Sequence, residues 1–193
     1  INENDINIAR EFNLNYFGSN QNIGIGEAFL EIAKHSKSKY IMILEHDWEL
    51  IENKSVVFNR LKSGIELIDD GYSSVRYRHR KQPGYPLFTE EPYKGKELEF
   101  YDANTQLVSP HLLDCIHWIN DPEIKFFDKI KKSGEYFLTT SRWGNWTNNP
   151  CLYEKEFFKK SISNFTGSYI DLERNINKWW AENNFKVAHG EGL

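Results

Sequence analysis

The sequence predicts an α/β fold built on a mixed, mostly parallel sheet flanked by helices. Tyr40-Ile41-Met42-Ile43-Leu44 is an unbroken apolar run, the pattern of a strand buried on both faces in the middle of a sheet. Segments with apolar residues at helical spacing precede and follow it, as in chains that alternate strands with covering helices. The run stops abruptly at Glu45-His46-Asp47, so an acidic pair falls at a strand's carboxyl end, the edge where open α/β sheets bind ligands.

At 193 residues the chain suits one domain and is long enough to bury most of its apolar surface. It is 39% apolar and 27% charged, with a net charge of −4 and lysines scattered among acidic residues, which argues against nucleic acid as a partner. No run approaches the roughly 20 apolar residues of a membrane span and no signal peptide opens the chain, so a cytoplasmic location is expected. Cys115 and Cys151 lack CxxC spacing and predict neither a zinc site nor a disulfide framework. In that setting the sequons at Asn53, Asn145 and Asn164 are chance matches.

Asn4 or Asp5 can cap a short helix to Phe12, with Ile8 and Phe12 on one face, and residues 14–17 alternate like a strand. This start reads as a βα unit whose first strand lies upstream of Ile1. Residues 18–22 have turn chemistry, and Ile23-Gly24-Ile25-Gly26 leads into a helix over 27–35 with Ala28, Ile32 and His35 on one side. Glycines there allow close backbone approach, and the free N–H groups of a helix start suit an anion.

After the strand at 40–44, Val56, Val57, Leu61, Ile65 and Ile68 mark a helix over 55–70 that Gly71 stops. Residues 74–80 alternate as a strand, with Arg76, Arg78 and Arg80 on one face, placed for phosphate or acceptor contact or on a solvated edge. The Pro- and Gly-containing stretch 82–96 is a long loop of the kind that forms lids. A strand over 98–108, a helix from Pro110 and an amphipathic helix over 122–133 follow.

Residues 139–150, TTSRWGNWTNNP, combine two tryptophans, an arginine and three asparagines in a loop, a surface suited to stacking on sugar rings and bonding their hydroxyls. A strand at 151–153, a helix over 154–160, a capping box at Ser168 to Asp171, a helix to about 183 and a strand over 185–189 complete the pattern.

In order and spacing these pieces resemble the GT-A glycosyltransferases, above all the family-2-like ones. NIGIGEA at 22–28 resembles that family's N-x-G-x-x-x-A helix start, and YIMILEHDW at 40–48 its strand ending in a DxD-type motif. NPCLYEKEFF at 149–158 resembles the strand before an acceptor-side helix, and DLERNINKWWAENNFKV at 171–187 the acid-bearing helix and closing strand. The match departs from the family in two ways: DxD reads Glu-His-Asp, and the first nucleotide-holding strand has no counterpart.

The resemblance implies a Rossmann-like nucleotide-sugar transferase fold and a nucleotide diphosphate sugar donor, UDP- or GDP-linked. A hexose or deoxyhexose would pass to a glycan hydroxyl, with inversion preferred. A Mn²⁺ or Mg²⁺ ion would stabilise the leaving diphosphate. Asp47 matches the metal position, and His189 at the last strand's end would complete the shell. Glu45, His46, Asn22 and Gly24 fall in the donor site. Glu173 matches the catalytic base, with Asp171 as the alternative. Arg76, Trp143 and Trp146 are expected to meet the acceptor, while Trp179 and Trp180 pack on the sheet. A sugar-phosphate nucleotidyltransferase and a non-catalytic carbohydrate-binding or glycosyltransferase-like domain remain as alternatives, and the native chain is expected to continue past Leu193.

Overall fold

A computed structural model describes residues 3–16, 18–19, 21–85, 91, 94–95, 116–167 and 171–193. The strand expected over 98–108, most of the helix from Pro110, Cys115 and Ser168 lie outside the described residues. The helices are α1 Glu3–Glu11, α2 Ile25–His35, α3 Lys54–Asp69, α4 Pro122–Lys125, α5 Lys155–Ile162 and α6 Leu172–Asn183. Six strands, β1 Tyr40–Ile43, β2 Ser74–Arg76, β3 Lys131–Ser133, β4 Tyr136–Thr140, β5 Cys151–Glu154 and β6 Lys186–His189, form one sheet in the order β1-β5-β2-β6-β4-β3. No helix among the described residues is long and apolar enough to cross a membrane.

The sheet is mixed, as expected, but its pairing is mostly antiparallel. Among the described residues only β2 and β6 pair in parallel, because β5 inserts between β1 and β2 and runs against both, while β4 runs against β6 and β3. β1 is therefore an edge strand among the described residues, with Ile41 and Ile43 buried and Tyr40 and Met42 half-buried. An unbroken apolar run does not by itself distinguish the edge of a two-sided sheet from its centre.

Helices cover both faces. On one face α2, α5 and α6 pack Phe29, Ala33, Phe158, Ile162, Leu172, Ile176 and Trp180 against Ile41, Ile43, Tyr153 and Val187. On the other, α3 lays Ile68, with Leu61 and Ile65, over Val75, Leu152 and Ala188. Full burial of each large side chain contributes about 1.5–3 kcal/mol, so these layers dominate the stability of the fold.

Several local expectations change. The face that α2 buries is Gly26, Phe29 and Ala33, one position along from the expected stripe, and Ile32 stays 41% exposed. Residues 14–16 are not a strand, and Ile8, Phe12, Leu14 and Tyr16 are exposed. The helix expected over 122–133 stops after one turn at Lys125, leaving Ile124 and Phe127 exposed. Its C-terminal part becomes β3, joined to β4 by a two-residue turn at Gly134-Glu135 in which Gly134 takes φ +58°. A glycine with positive φ at the first turn position is hairpin chemistry, and it overrides the helical spacing upstream.

Candidate functional site

The register lines up Ile43, Cys151, Arg76, His189 and Phe137 along one edge of the sheet. At this edge β1, β2 and β6 end and β5 begins. α6 also starts here, because α5 leaves the far end of β5 and runs back across the sheet. Gly26 of α2 packs on Phe165 and Thr166 just before α6, so the start of α2 shares the same edge.

Beyond β1 the chain turns tightly, with the N–H of Trp48 donating to the Glu45 carbonyl. Glu45 is half-buried, while His46 and Asp47 are exposed. Burial pushes the Glu45 carboxyl above its usual range, and the negative charges of Asp47 and Glu173 push it further, with His46 opposing slightly. Asp47 and Glu173, from segments more than a hundred residues apart in sequence, thus both act on Glu45 at this edge. Folded Glu45 binds a proton more tightly than the unfolded chain does, so its ionisation lowers stability as pH rises from 4.5 through the raised value. Glu45→Gln is expected to raise Tm at pH 7 and leave it unchanged near pH 4; equal shifts at both pH values would contradict this coupling.

Glu173 lies in the first turn of α6, and its Oε1 accepts the backbone N–H of Asn148 at 2.5 Å. Asp171, the alternative base, is instead the N-cap: Oδ1 accepts the Arg174 N–H at 3.1 Å, and Oδ2 lies 3.4 Å from Arg174 Nε. Of the expected capping pair, Asp171 is thus the N-cap of α6, and Ser168 lies outside the described residues.

Loop 141–150 is clamped from two sides. One stripe of α6 holds it through Glu173, Asn177 and Trp180. The buried Asn177 side chain donates to the Trp146 carbonyl at 3.0 Å and accepts the Trp146 N–H at 2.7 Å, and Trp180 Nε1 donates to the Gly144 carbonyl at 2.7 Å. From β2, Arg76 donates to the Asn145 carbonyl and Oδ1 and to Thr147 Oγ1. At 1% exposure Arg76 is a positioning residue for this loop and not an acceptor contact. Arg80 likewise spends its guanidinium on the carbonyls of Ile116 and Ile119. Nothing in the sequence marks the role of Asn177, because a polar residue in an amphipathic helix normally reads as surface.

Trp146 also departs from its expected place at the acceptor. It is 2% exposed and stacks on Tyr153 and Phe158, edge-on to Trp180, in the core under α6. Trp180 packs on the sheet as expected. Trp143 follows the far end of β4, where its N–H bonds the Thr140 carbonyl, with Lys129 and Arg142 near its ring, at the edge opposite the carboxylates. Neither tryptophan stands where an acceptor beside Asp47 would need it.

Asn22 and Gly24 form the turn that starts α2, with Asn22 Oδ1 accepting the Gly24 N–H at 2.9 Å and Gly24 at φ +79°. They border a separate groove running from Gly18 to Ile32.

His189 does not join Asp47. Two strands, β5 and β2, stand between β1 and β6, so the strand ends lie three spacings apart, about 14 Å. The His189 ring is 1% exposed, its Nδ1 is 3.3 Å from Nε2 of His117, and its Nε2 faces Gly144, where an added Cβ would approach to 2.9 Å. Burial holds both imidazoles well below their ordinary range, His117 further lowered by His189 and both by nearby arginines. The unfolded chain takes up protons near 6.5 that the folded one refuses, so stability is complete above that pH and falls below it. Two such groups give a slope of about 2.7 kcal/mol per pH unit. Chemical denaturation is expected to show stability falling as pH drops below about 6.5, with the slope nearing this limit about one unit lower and roughly halved in His117→Gln; a wild-type slope near zero would contradict the neutral pair.

Among the described residues no three His, Cys, Asp or Glu side chains form a ready-made metal shell. Burial first, and the negative charges of Asp47 and Glu173 second, disfavour the Glu45 carboxylate, and Glu45 and Asp47 carry oxygen atoms of the kind a divalent cation prefers. No family model matches the chain, and no curated protein or solved structure matches it either.

Proposed function

We propose that this chain is a divalent-cation-dependent glycosyltransferase that moves a hexose or deoxyhexose from a nucleotide diphosphate sugar to a glycan hydroxyl. The observation that carries this reading is that Asp47 and Glu173 both lie close enough to the half-buried Glu45 to act on its carboxyl at the sheet edge, two of the three carboxylates coming from the end of β1 and one from the start of α6. Asp47, with Glu45, would hold the cation. When bound, the cation supplies positive charge against the leaving diphosphate.

Glu173 serves as the general base. Its carboxylate, oriented by the Asn148 N–H, accepts the acceptor hydroxyl's proton as that oxygen bonds the sugar's anomeric carbon. The bond from that carbon to the diphosphate oxygen breaks, and its electron pair leaves with the diphosphate. Attack from the face opposite the leaving group inverts the anomeric centre. A purely carbohydrate-binding role loses its main support, since Trp146 lies in the core.

Calorimetric titration of Mn²⁺ with UDP, and separately with GDP, tests the donor site. One nucleotide is expected to bind only with the cation, and Asp47→Ala to weaken that binding at least tenfold. Binding by neither nucleotide, or binding indifferent to both the cation and Asp47, would overturn the reading.

A further inference from the structure

We propose that the cavity beside Asp47 is the acceptor subsite and that it takes a hexopyranose without an acidic substituent, laid against Trp48 and read by Glu49. This deepens the glycosyl-transfer reading above and rests on it. The cavity encloses about 290 Å³, and its lining includes Asp47, Trp48, Glu49, Gln82, Pro83 and Pro150. That volume is at the lower limit of ligand pockets, which begin at about 300 Å³, so it suits one sugar ring better than a nucleotide. Asp47 borders the cavity and also acts on Glu45, as Glu173 does, so a ring held here lies next to the carboxylates of the transfer step.

The polar groups of the lining fall into two sets. The first is spent within the protein: His79 Nε2 meets Glu52 at 3.0 Å, its Nδ1 accepts the Lys81 N–H at 3.1 Å, and the Tyr77 hydroxyl donates to the Arg60 carbonyl at 2.8 Å. Arg78 belongs to this set. Its Nε donates to the Pro83 carbonyl at 2.6 Å and its Nη1 to Asn149 Oδ1 at 3.3 Å, and its guanidinium lies 5.1 Å from the centre of the Trp48 ring and 4.3 Å from that of Trp118. These contacts tie four segments of the chain together around the cavity, so Arg78 is part of its frame. The second set has no partner among the described residues. Neither the Glu49 carboxylate nor the Gln82 carboxamide makes a hydrogen bond or an ion pair there, and Asp47 at the cavity's end is the cation ligand of the reading above.

A carboxylate only accepts hydrogen bonds, and the hydroxyls of a sugar are donors that meet it in charge-assisted bonds. Gln82 both donates and accepts, so it can take either role toward a neighbouring hydroxyl. Trp48 is half-buried and offers the flat apolar surface that the C–H face of a pyranose covers. It stands beside Asp47, where Trp143 and Trp146 do not. A carboxylate or phosphate on the sugar would meet Glu49 and Asp47 as like charges, which selects against an acidic acceptor.

The test uses the whole chain without cation or nucleotide, so it is independent of the donor site. Methyl β-D-glucoside, methyl β-D-galactoside and methyl α-D-mannoside, each beside its uronic acid counterpart, are titrated at neutral pH while the indole N–H signals are followed by NMR. The Trp48 signal is the one that disappears in Trp48→Phe. At least one of the three glycosides is expected to shift that signal saturably and to bind about threefold more tightly than its uronide. Affinities of the variants are read by saturation transfer to the sugar. Trp48→Phe is expected to keep most of the affinity, Trp48→Ala to lower it about tenfold, and Glu49→Gln to narrow the gap between glycoside and uronide. An unmoved Trp48 signal with all three glycosides, a uronide that binds as tightly as its glycoside, or unchanged affinity in Trp48→Ala would overturn the proposal. Donor binding without any sugar response overturns this subsite alone, whereas a sugar response without donor binding supports the sugar site and overturns glycosyl transfer.

Discussion

Glu173→Gln is expected to abolish glycosyl transfer, by about a thousandfold or more, while leaving cation-dependent nucleotide binding within a few-fold of wild type. The amide keeps the side chain's shape and can still accept the Asn148 N–H through its oxygen, so the loop stays in place. It cannot take a proton at neutral pH. Asp171→Asn supplies the control: Asn caps helices as well as Asp, so turnover is expected to persist. Single-turnover transfer from hexose and deoxyhexose donors of the nucleotide that calorimetry identifies measures both variants. Retained turnover in Glu173→Gln, or its loss in Asp171→Asn alone, would move the base away from Glu173.

Asn177→Ala is expected to cost about 3 kcal/mol of stability, because it strands both the N–H and the C=O of Trp146 in a dry environment. For a chain of this size that lowers Tm by roughly 10 °C. Asn177 also spaces the loop from the helix that carries Glu173, so its loss should reduce transfer as well as stability. Differential scanning calorimetry gives the first number; a drop in Tm under about 2 °C would show that the loop is held mainly by Arg76 and Trp180. The clamp is a tertiary arrangement of polar groups, each worth little in water and a great deal once buried.

The two predictions concern parts of the site that differ in how far sequence reveals them. Glu45 and Asp47 stand out in the sequence as acids that end an apolar run, and Glu173 stands out only through the resemblance of its helix to an acid-bearing one. Asn177 does not, since its spacing in α6 is that of an ordinary helical residue and its partner lies 31 residues away. Arg76, Arg78 and Arg80 were recognised as a set, but their fates differ. Arg76 is enclosed by loop 145–147, Arg80 is fastened to the carbonyls of Ile116 and Ile119, and Arg78 reaches the cavity.

Sequence by itself determined the elements set by short-range rules. These include the helix α3, β5 leading into α5, the helix α6 ending at Asn183, and an acid-bearing turn after β1. Periodicity, capping and strand-end chemistry act within a few residues, so they survive being read one segment at a time. Only the tertiary structure decided the order of the strands. Because β5 enters between β1 and β2, His189 is carried three strands from Asp47 and paired with His117, and the loop that precedes β5 is drawn over Arg76. The physical reason is that an apolar strand pairs with whichever neighbour buries its faces best, and that competition is settled by the whole sheet and its covering helices.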